Sequence, residues 1–281
     1  MRDKLCKTFR RIPSKTWDLL IDGSYYGFYQ TSSSGIKRGI GLNEETITDV
    51  LLLDILRKQP HDVITFKFSK NYEAQEGADW EWWILSQSGI VGFRFQAKRL
   101  HRNHVNGKYE YSHLDYADKN GYYQVDKLIN QARITGFVPM YIFYNYWDID
   151  FPFTQYKNRR IPQCCQTRGK QDLGVTICAA KNIQNLIHLK KKALQDILPH
   201  TFPLYCITCC NSSDFTESVK KFIEEYLRVR DFKIHMELPI EVYARLKGEG
   251  DESSPVYTSL IFDLEKTSEY AINFKKDIFR Q

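Results

Sequence analysis

The stretch G-A-D-W-E-W-W-I-L-S-Q-S-G-I-V-G-F-R-F-Q-A-K-R-L, residues 77–100, decides the reading of this chain. Two runs rich in aromatic and β-branched residues, Asp79 to Ile84 and Ile90 to Ala97, flank Ser88-Gly89. Such runs around a Ser-Gly pair read as two strands joined by a hairpin turn. Strand side chains alternate with period two, so Asp79 and Glu81 share a face, as do Gln96 and Lys98. The hairpin then carries all four to one edge of a sheet. Two carboxylates, an amide oxygen and an ammonium suit phosphodiester hydrolysis. Mg²⁺ binds through one or two carboxylates plus water and substrate phosphate. A bound cation stabilises phosphate charge and activates water. A lysine beside it orients that water or meets the developing negative charge.

The length of 281 residues and a hydrophobic content of 42% allow a sizeable core, in one large domain or in a domain with an extension. The net charge of +6 permits a polyanionic partner without demanding one. No apolar run is long enough for a transmembrane helix, and the basic start lacks a following apolar stretch, so no secretory signal is read. Seven cysteines, mostly in apolar segments, point to buried free thiols in a reducing cytoplasm. Cys206 and Cys209 have metal-ligand spacing, with Cys164 and Cys165 as a second pair. Their apolar setting favours small buried hydrophobes over a zinc site.

Outward from the hairpin, residues 1–21 predict a short helix with Phe9, Ile12, Trp17 and Leu20 inward. Asn43 predicts an N-cap for a helix with acids in its first turn and Ile47, Val50, Leu51 and Ile55 as its buried stripe. V-I-T-F-K-F-S, residues 63–69, predicts a strand. After Lys98, the residues Arg99, His101, Arg102 and His104 predict a basic loop suited to a nucleic-acid backbone. Residues 122–134 predict a helix, and V-P-M-Y-I-F-Y-N-Y-W, residues 138–147, a central strand. Further on, 213–228 predicts a helix. The run F-P-L-Y-C-I-T-C-C, 202–210, predicts a buried strand; 237–247 reads as a further strand and the tail 270–279 as a last one. The expected division is a core over 1–150 and a C-terminal α/β extension over 151–281 packed on it.

The D…QxK pattern of Asp79, Gln96 and Lys98, with an acidic helix before it and another helix after it, resembles the PD-(D/E)XK nuclease superfamily. The likeness is to its Mrr-like branch, with Gln as the second ligand, and to a bacterial family of defence nucleases. It covers roughly residues 40–145, and Ala78 stands where the motif proline would be. The resemblance implies an α/β fold with a central mixed sheet flanked by helices. It implies metal-dependent nuclease activity, chiefly on DNA, with Mg²⁺ or Mn²⁺, in bacterial anti-phage defence. A homo-oligomer or a defence-system partner goes with that role, and no membrane. Asp79, Gln96, the Ala97 carbonyl and an acid from the first core helix would hold the metal. Glu45 takes that last place, with Glu44 and Asp49 as fallbacks and Glu81 as a further acid. Gln124 and Lys127, on the helix after the motif lysine, would support the site and touch phosphate beside Arg99, His101 and Arg102. The alternative is an inactive nuclease fold that binds nucleic acid or protein without cutting.

Overall fold

The computed structural model describes residues 9–21, 42–58, 63–65, 77–86, 89–103, 106–148, 156, 166–208, 215–237, 239–240 and 259–263. The two predicted strands pair as a hairpin, with Gly89 already in the second strand and residues 87–88 outside the described residues. Strand β2 (Trp80–Ser86) pairs antiparallel with β3 (Gly89–Arg102), from Ser86 opposite Gly89 to Trp80 opposite Phe95. The two strands centre a mixed sheet with β1 (Val63–Thr65), β5 (Val138–Tyr144), β6 (Val175–Ala179), β7 (Phe202–Pro203) and β9 (Ser259–Asp263). The order is β1-β9-β2-β3-β5-β6-β7, and β4 (Tyr109–Tyr111) and β8 (Ile234–His235) also pair with β3. This is an α/β fold with an open central sheet, as expected. The second half of the chain supplies β6 to β9, so the same sheet runs through both sides of the boundary drawn at residue 150.

Period two sorts the hairpin onto two faces. Trp80, Trp82, Val91, Phe93, Phe95 and Ala97 pack into one core cluster. Against it lie α1 (residues 9–21), α2 (Glu44–Lys58) and α6 (Phe215–Lys221), which continues as a π-helix through Leu227. Helix α1 buries Phe9, Ile12, Trp17 and Leu20, the apolar set its spacing predicts. The opposite face carries Gln96, Lys98 and Leu100, with Tyr141 and Phe143 beside them on β5. It is covered by α3 (Gln124–Thr135), α4 (Ala180–His188) and α5 (Leu194–Ile197).

Helix α2 starts where Asn43 Oδ1 accepts the Thr46 N–H at 2.7 Å, which satisfies an otherwise orphaned donor. Among the described side chains its buried stripe is Ile47, Thr48, Leu51 and Leu52, and the Ile55 side chain lies outside them. Val50 is exposed, because Thr48 turns inward to meet the Tyr144 hydroxyl at 2.6 Å and sets the helix rotation. Two other expectations are corrected. The basic segment after Lys98 continues β3 to Arg102, since β5 pairs up to Arg99 and β4 takes over at Leu100. The apolar run at 202–210 is strand only over Phe202–Pro203. Leu204–Thr208 is a buried 3-10 turn, and burial alone cannot tell the two apart in sequence. The remainder of that run, the tail 270–279, most of 237–247, His104, Cys164, Cys165 and Cys209 lie outside the described residues. Cys178 and Cys206 are buried.

Glu81 and Arg94 face each other across the hairpin, both buried, with Arg94 Nε 2.8 Å from Glu81 Oε1. The guanidinium also lies over the Phe137 ring at 4.6 Å. Removing one partner of a buried pair strands the other charge. Arg94→Met should therefore lower unfolding free energy by about 3–5 kcal/mol. Arg94→Met combined with Glu81→Leu should recover most of the loss in urea denaturation. A double variant no better than the single one would show that the pair is not what holds this position.

Candidate active site

The site forms where β2 and β3 part. Their last pair is Trp80 with Phe95, and the Asp79 N–H still donates to the Phe95 carbonyl at 2.8 Å. Beyond that point β3 runs on without β2, and two of its backbone N–H groups meet carboxylates instead. The Ala97 N–H donates to Asp79 Oδ2 at 2.5 Å, and the Arg99 N–H donates to Glu44 Oε1 at 2.8 Å. Donors two residues apart on one strand point the same way, roughly 7 Å from each other. The Ala97 carbonyl belongs to the same residue as the first of these donors, so it opens to the same side.

Gln96 adds its amide. Its Nε2 donates to Asp79 Oδ2 at 2.6 Å, which leaves Asp79 Oδ1 without a hydrogen bond among the described residues. Gln96 Oε1 is buried and has no hydrogen-bond partner among them either. Lys98 is buried on the same face and donates from Nζ to Gln124 Oε1 at 3.2 Å. Gly77 explains how α3 comes so near. Its φ is +70°, and a Cβ there would lie 2.8 Å from the Gln124 carbonyl oxygen and the Leu128 nitrogen. Only glycine lets the chain pass this closely with that backbone angle.

Burial lifts the Asp79 carboxyl from its ordinary 3.8 to about 6. The Lys98 charge and the Ala97 N–H oppose that rise, nearby Glu44 adds to it, and the Gln96 hydrogen bond opposes it. The position is one where a second cation would be welcome, because two carboxylates share it with one lysine. An orphaned buried amide oxygen, two carboxylates and a backbone carbonyl form an all-oxygen donor set of the kind hard divalent cations take. The chemistry of this donor set is of the type Mg²⁺ or Mn²⁺ takes, and Asp79 and Glu44 are the anionic groups that would face such an ion. Among the described residues no group of three His, Cys, Asp or Glu side chains is placed to hold a metal, so water would complete such a shell.

The expected residues divide as follows. Asp79, Gln96, Lys98, the Ala97 carbonyl and Gln124 come together. Glu45 does not join them. It is exposed, and Glu44, one residue earlier and thus about 100° around the helix, takes its place. Glu81 shares the face of Asp79 but is committed to Arg94. Arg99 points to the α2 side, where its guanidinium donates to the Leu42 carbonyl, so it anchors that helix start instead of facing solvent. His101 and Arg102 are exposed at the end of β3. Although the side chain reaches water, partial desolvation at the sheet edge, with Arg99 and His113 nearby, holds the His101 imidazole below its ordinary range, and Arg102 lies 3.5 Å from Asp148. Lys127 pairs with Asp118 at 2.7 Å. Tyr141 joins these residues with no signal in the sequence. It stands beside Gln96 in the β3–β5 register, with a buried hydroxyl that has no partner among the described residues. The long apolar run of β5 carries no signal of its register.

Asp79 has a measurable consequence without any ligand. Between pH about 4 and 6 the folded protein keeps a proton that the unfolded chain has released. Stability therefore falls as pH rises through that window and stays reduced above it. Asp79→Asn should raise the unfolding free energy at pH 7.5 in EDTA by about 1–3 kcal/mol. The advantage should shrink towards zero near pH 4. A variant less stable than wild type at pH 7.5 would mean that the ionised carboxylate is held favourably.

Residues 5–274 match the model described as a family of unknown function, DUF6615. A comparison with curated proteins gave no match. No helix among the described residues is long and apolar enough to cross a membrane. With the match running over nearly the whole sequence, the chain belongs to the DUF6615 family.

Proposed function

We propose that this protein is a metal-dependent nuclease that hydrolyses phosphodiesters of nucleic acid, DNA in the first place. The observation that carries the reading is the convergence of Asp79, Gln96, Lys98 and Glu44 at the point where β3 leaves β2. Asp79 and Glu44, with the Ala97 carbonyl and the Gln96 amide oxygen, would hold the cation. When bound, a divalent ion polarises the phosphate and lowers the pKa of water in its shell. The N–H groups of Ala97 and Arg99 keep the two carboxylates aimed without side-chain rearrangement. Lys98, steered by Gln124, places a fixed positive charge where the non-bridging oxygens of an attacked phosphate gain charge. Water oxygen bonds to phosphorus as the bond to the leaving oxygen breaks. The water's proton passes to solvent, and solvent protonates the leaving oxygen. The resemblance to defence nucleases extends the proposal to foreign DNA as the target.

The test is incubation of purified protein with plasmid, linear duplex and single-stranded DNA, in Mg²⁺ or Mn²⁺ and in EDTA. Cleavage should require the metal. Losing one stabiliser of this kind typically costs about 100- to 1000-fold, so Asp79→Ala and Lys98→Ala should both look dead on a gel. Glu44→Ala should raise the metal concentration needed, and Glu45→Ala should not. Cation binding should weaken about tenfold per pH unit below 6, as Asp79 takes up its proton. Equal cleavage in EDTA, or full activity in both dead-site variants, would overturn the proposal. Binding without cleavage in any divalent metal would favour the second reading, a nuclease fold that holds nucleic acid without cutting it.

A further inference from the structure

The connection from β4 to α3 holds two large aromatic side chains in water. Tyr116 is 54% exposed and Tyr122 62%. A single exposed tyrosine is ordinary. These two are distinguished by their support and their place. The Gln124 N–H donates to the Tyr116 carbonyl at 3.0 Å, and the Asp118 N–H to the Tyr122 carbonyl at 2.9 Å. Ala117 and Tyr123 bridge between them. The result is a short antiparallel ladder with Tyr116 opposite Gln124 and Tyr122 opposite Asp118. Alternation puts residues 116, 118, 122 and 124 on one side of it.

Asp118 locks the turn. Its Oδ1 accepts the N–H groups of Asn120 and Tyr122 at 2.8 and 3.1 Å, and its Oδ2 lies 2.7 Å from Lys127 Nζ. The loop's other acid, Asp115, lies 3.5 Å from Lys192, so both acids are matched by lysines and neither stands alone against a phosphate chain. Gln124, at the end of this ladder, is the residue that holds Lys98. The two rings therefore rise from the unit that steers the site's lysine. Diagonal neighbours in such a ladder stand about 7–8 Å apart. At that spacing two aromatic side chains reach a common patch.

We propose that Tyr116 and Tyr122 form a stacking platform for unpaired nucleobases, so that the site takes single-stranded nucleic acid in preference to intact duplex. This rests on the phosphodiester reading of the site and names its substrate class. In a duplex the base faces are already stacked on each other and cannot reach the rings. On a single strand they are free, and aromatic stacking accepts any base.

The experiment is fluorescence anisotropy of a labelled 20-nucleotide single strand of mixed sequence, and of its blunt duplex, titrated with full-length protein in EDTA. The single strand should bind more tightly. Tyr116→Ala and Tyr122→Ala should each weaken single-strand binding roughly 5- to 100-fold while changing duplex binding little. Tyr116→Trp and Tyr122→Trp should keep the affinity, and the introduced indole should be quenched as the strand binds. Thermal melts of all variants should match wild type, since both side chains are exposed. Tighter duplex binding, alanine variants that hold the single strand as wild type does, or indoles unaffected by the strand would overturn the platform. Metal-dependent cleavage is scored separately. Cleavage that persists with no effect of the tyrosines sinks the platform alone. Tyrosine-dependent single-strand binding without cleavage in any metal sinks the nuclease reading alone.

Discussion

Everything near the site depends on how β3 satisfies its backbone after β2 stops. A strand that leaves its partner exposes N–H groups that cost free energy unless something accepts them. Here the acceptors are Asp79, from the start of β2, and Glu44, from the first turn of α2. One hydrogen-bonding need thus fixes a strand entry, a helix N-terminus and the spacing of two carboxylates. Arg99 strengthens the arrangement from the other face, through its bond to the Leu42 carbonyl just ahead of α2. The buried Thr48–Tyr144 contact ties the same helix to β5.

This economy has an electrostatic price. The carboxylates satisfy backbone donors, yet burial and mutual repulsion make the ionised form of Asp79 costly. Lys98 offsets part of that cost and sits among apolar neighbours to do so. The hairpin's other charges are handled differently. Glu81 and Arg94 close on each other and on Phe137, well inside the sheet. Two acids on one face of one strand thereby acquire opposite characters, one neutralised by a partner and one left under tension.

Much of this was legible in the residues. The hairpin, its faces and the trio Asp79, Gln96 and Lys98 follow from period two along two apolar runs joined by a short turn. The register was not legible. A turn on Ser88-Gly89 would set Glu81 opposite Gln96, whereas Gly89 pairs with Ser86 and sets Glu81 opposite Arg94, so the competing ion pair was hidden. Glu44 against Glu45 was not legible. Both acids suit a helix start, and only the rotation imposed by Thr48 and the strand beneath chooses between them. The 3-10 turn at Leu204–Thr208 was hidden because a short apolar run has no distinguishing period. Strand β9 was missed because S-L-I-F-D is too short to stand out, and its place in the sheet is set by partners far away in sequence.

That place has a consequence for when the molecule becomes complete. β9 lies between β1 and β2, parallel to β2, with Ser259 beside Glu81. During synthesis at about 5–20 residues per second, the outer edge of the tryptophan-bearing strand waits roughly nine to thirty-five seconds for its neighbour. The hairpin needs only local contacts to pair, and its outer edge is open to pairing with other chains until residues 259–263 arrive. A nascent or truncated chain therefore carries the residues of the candidate site before β2 has its outer neighbour, and the sheet is completed only by the last described strand to be made.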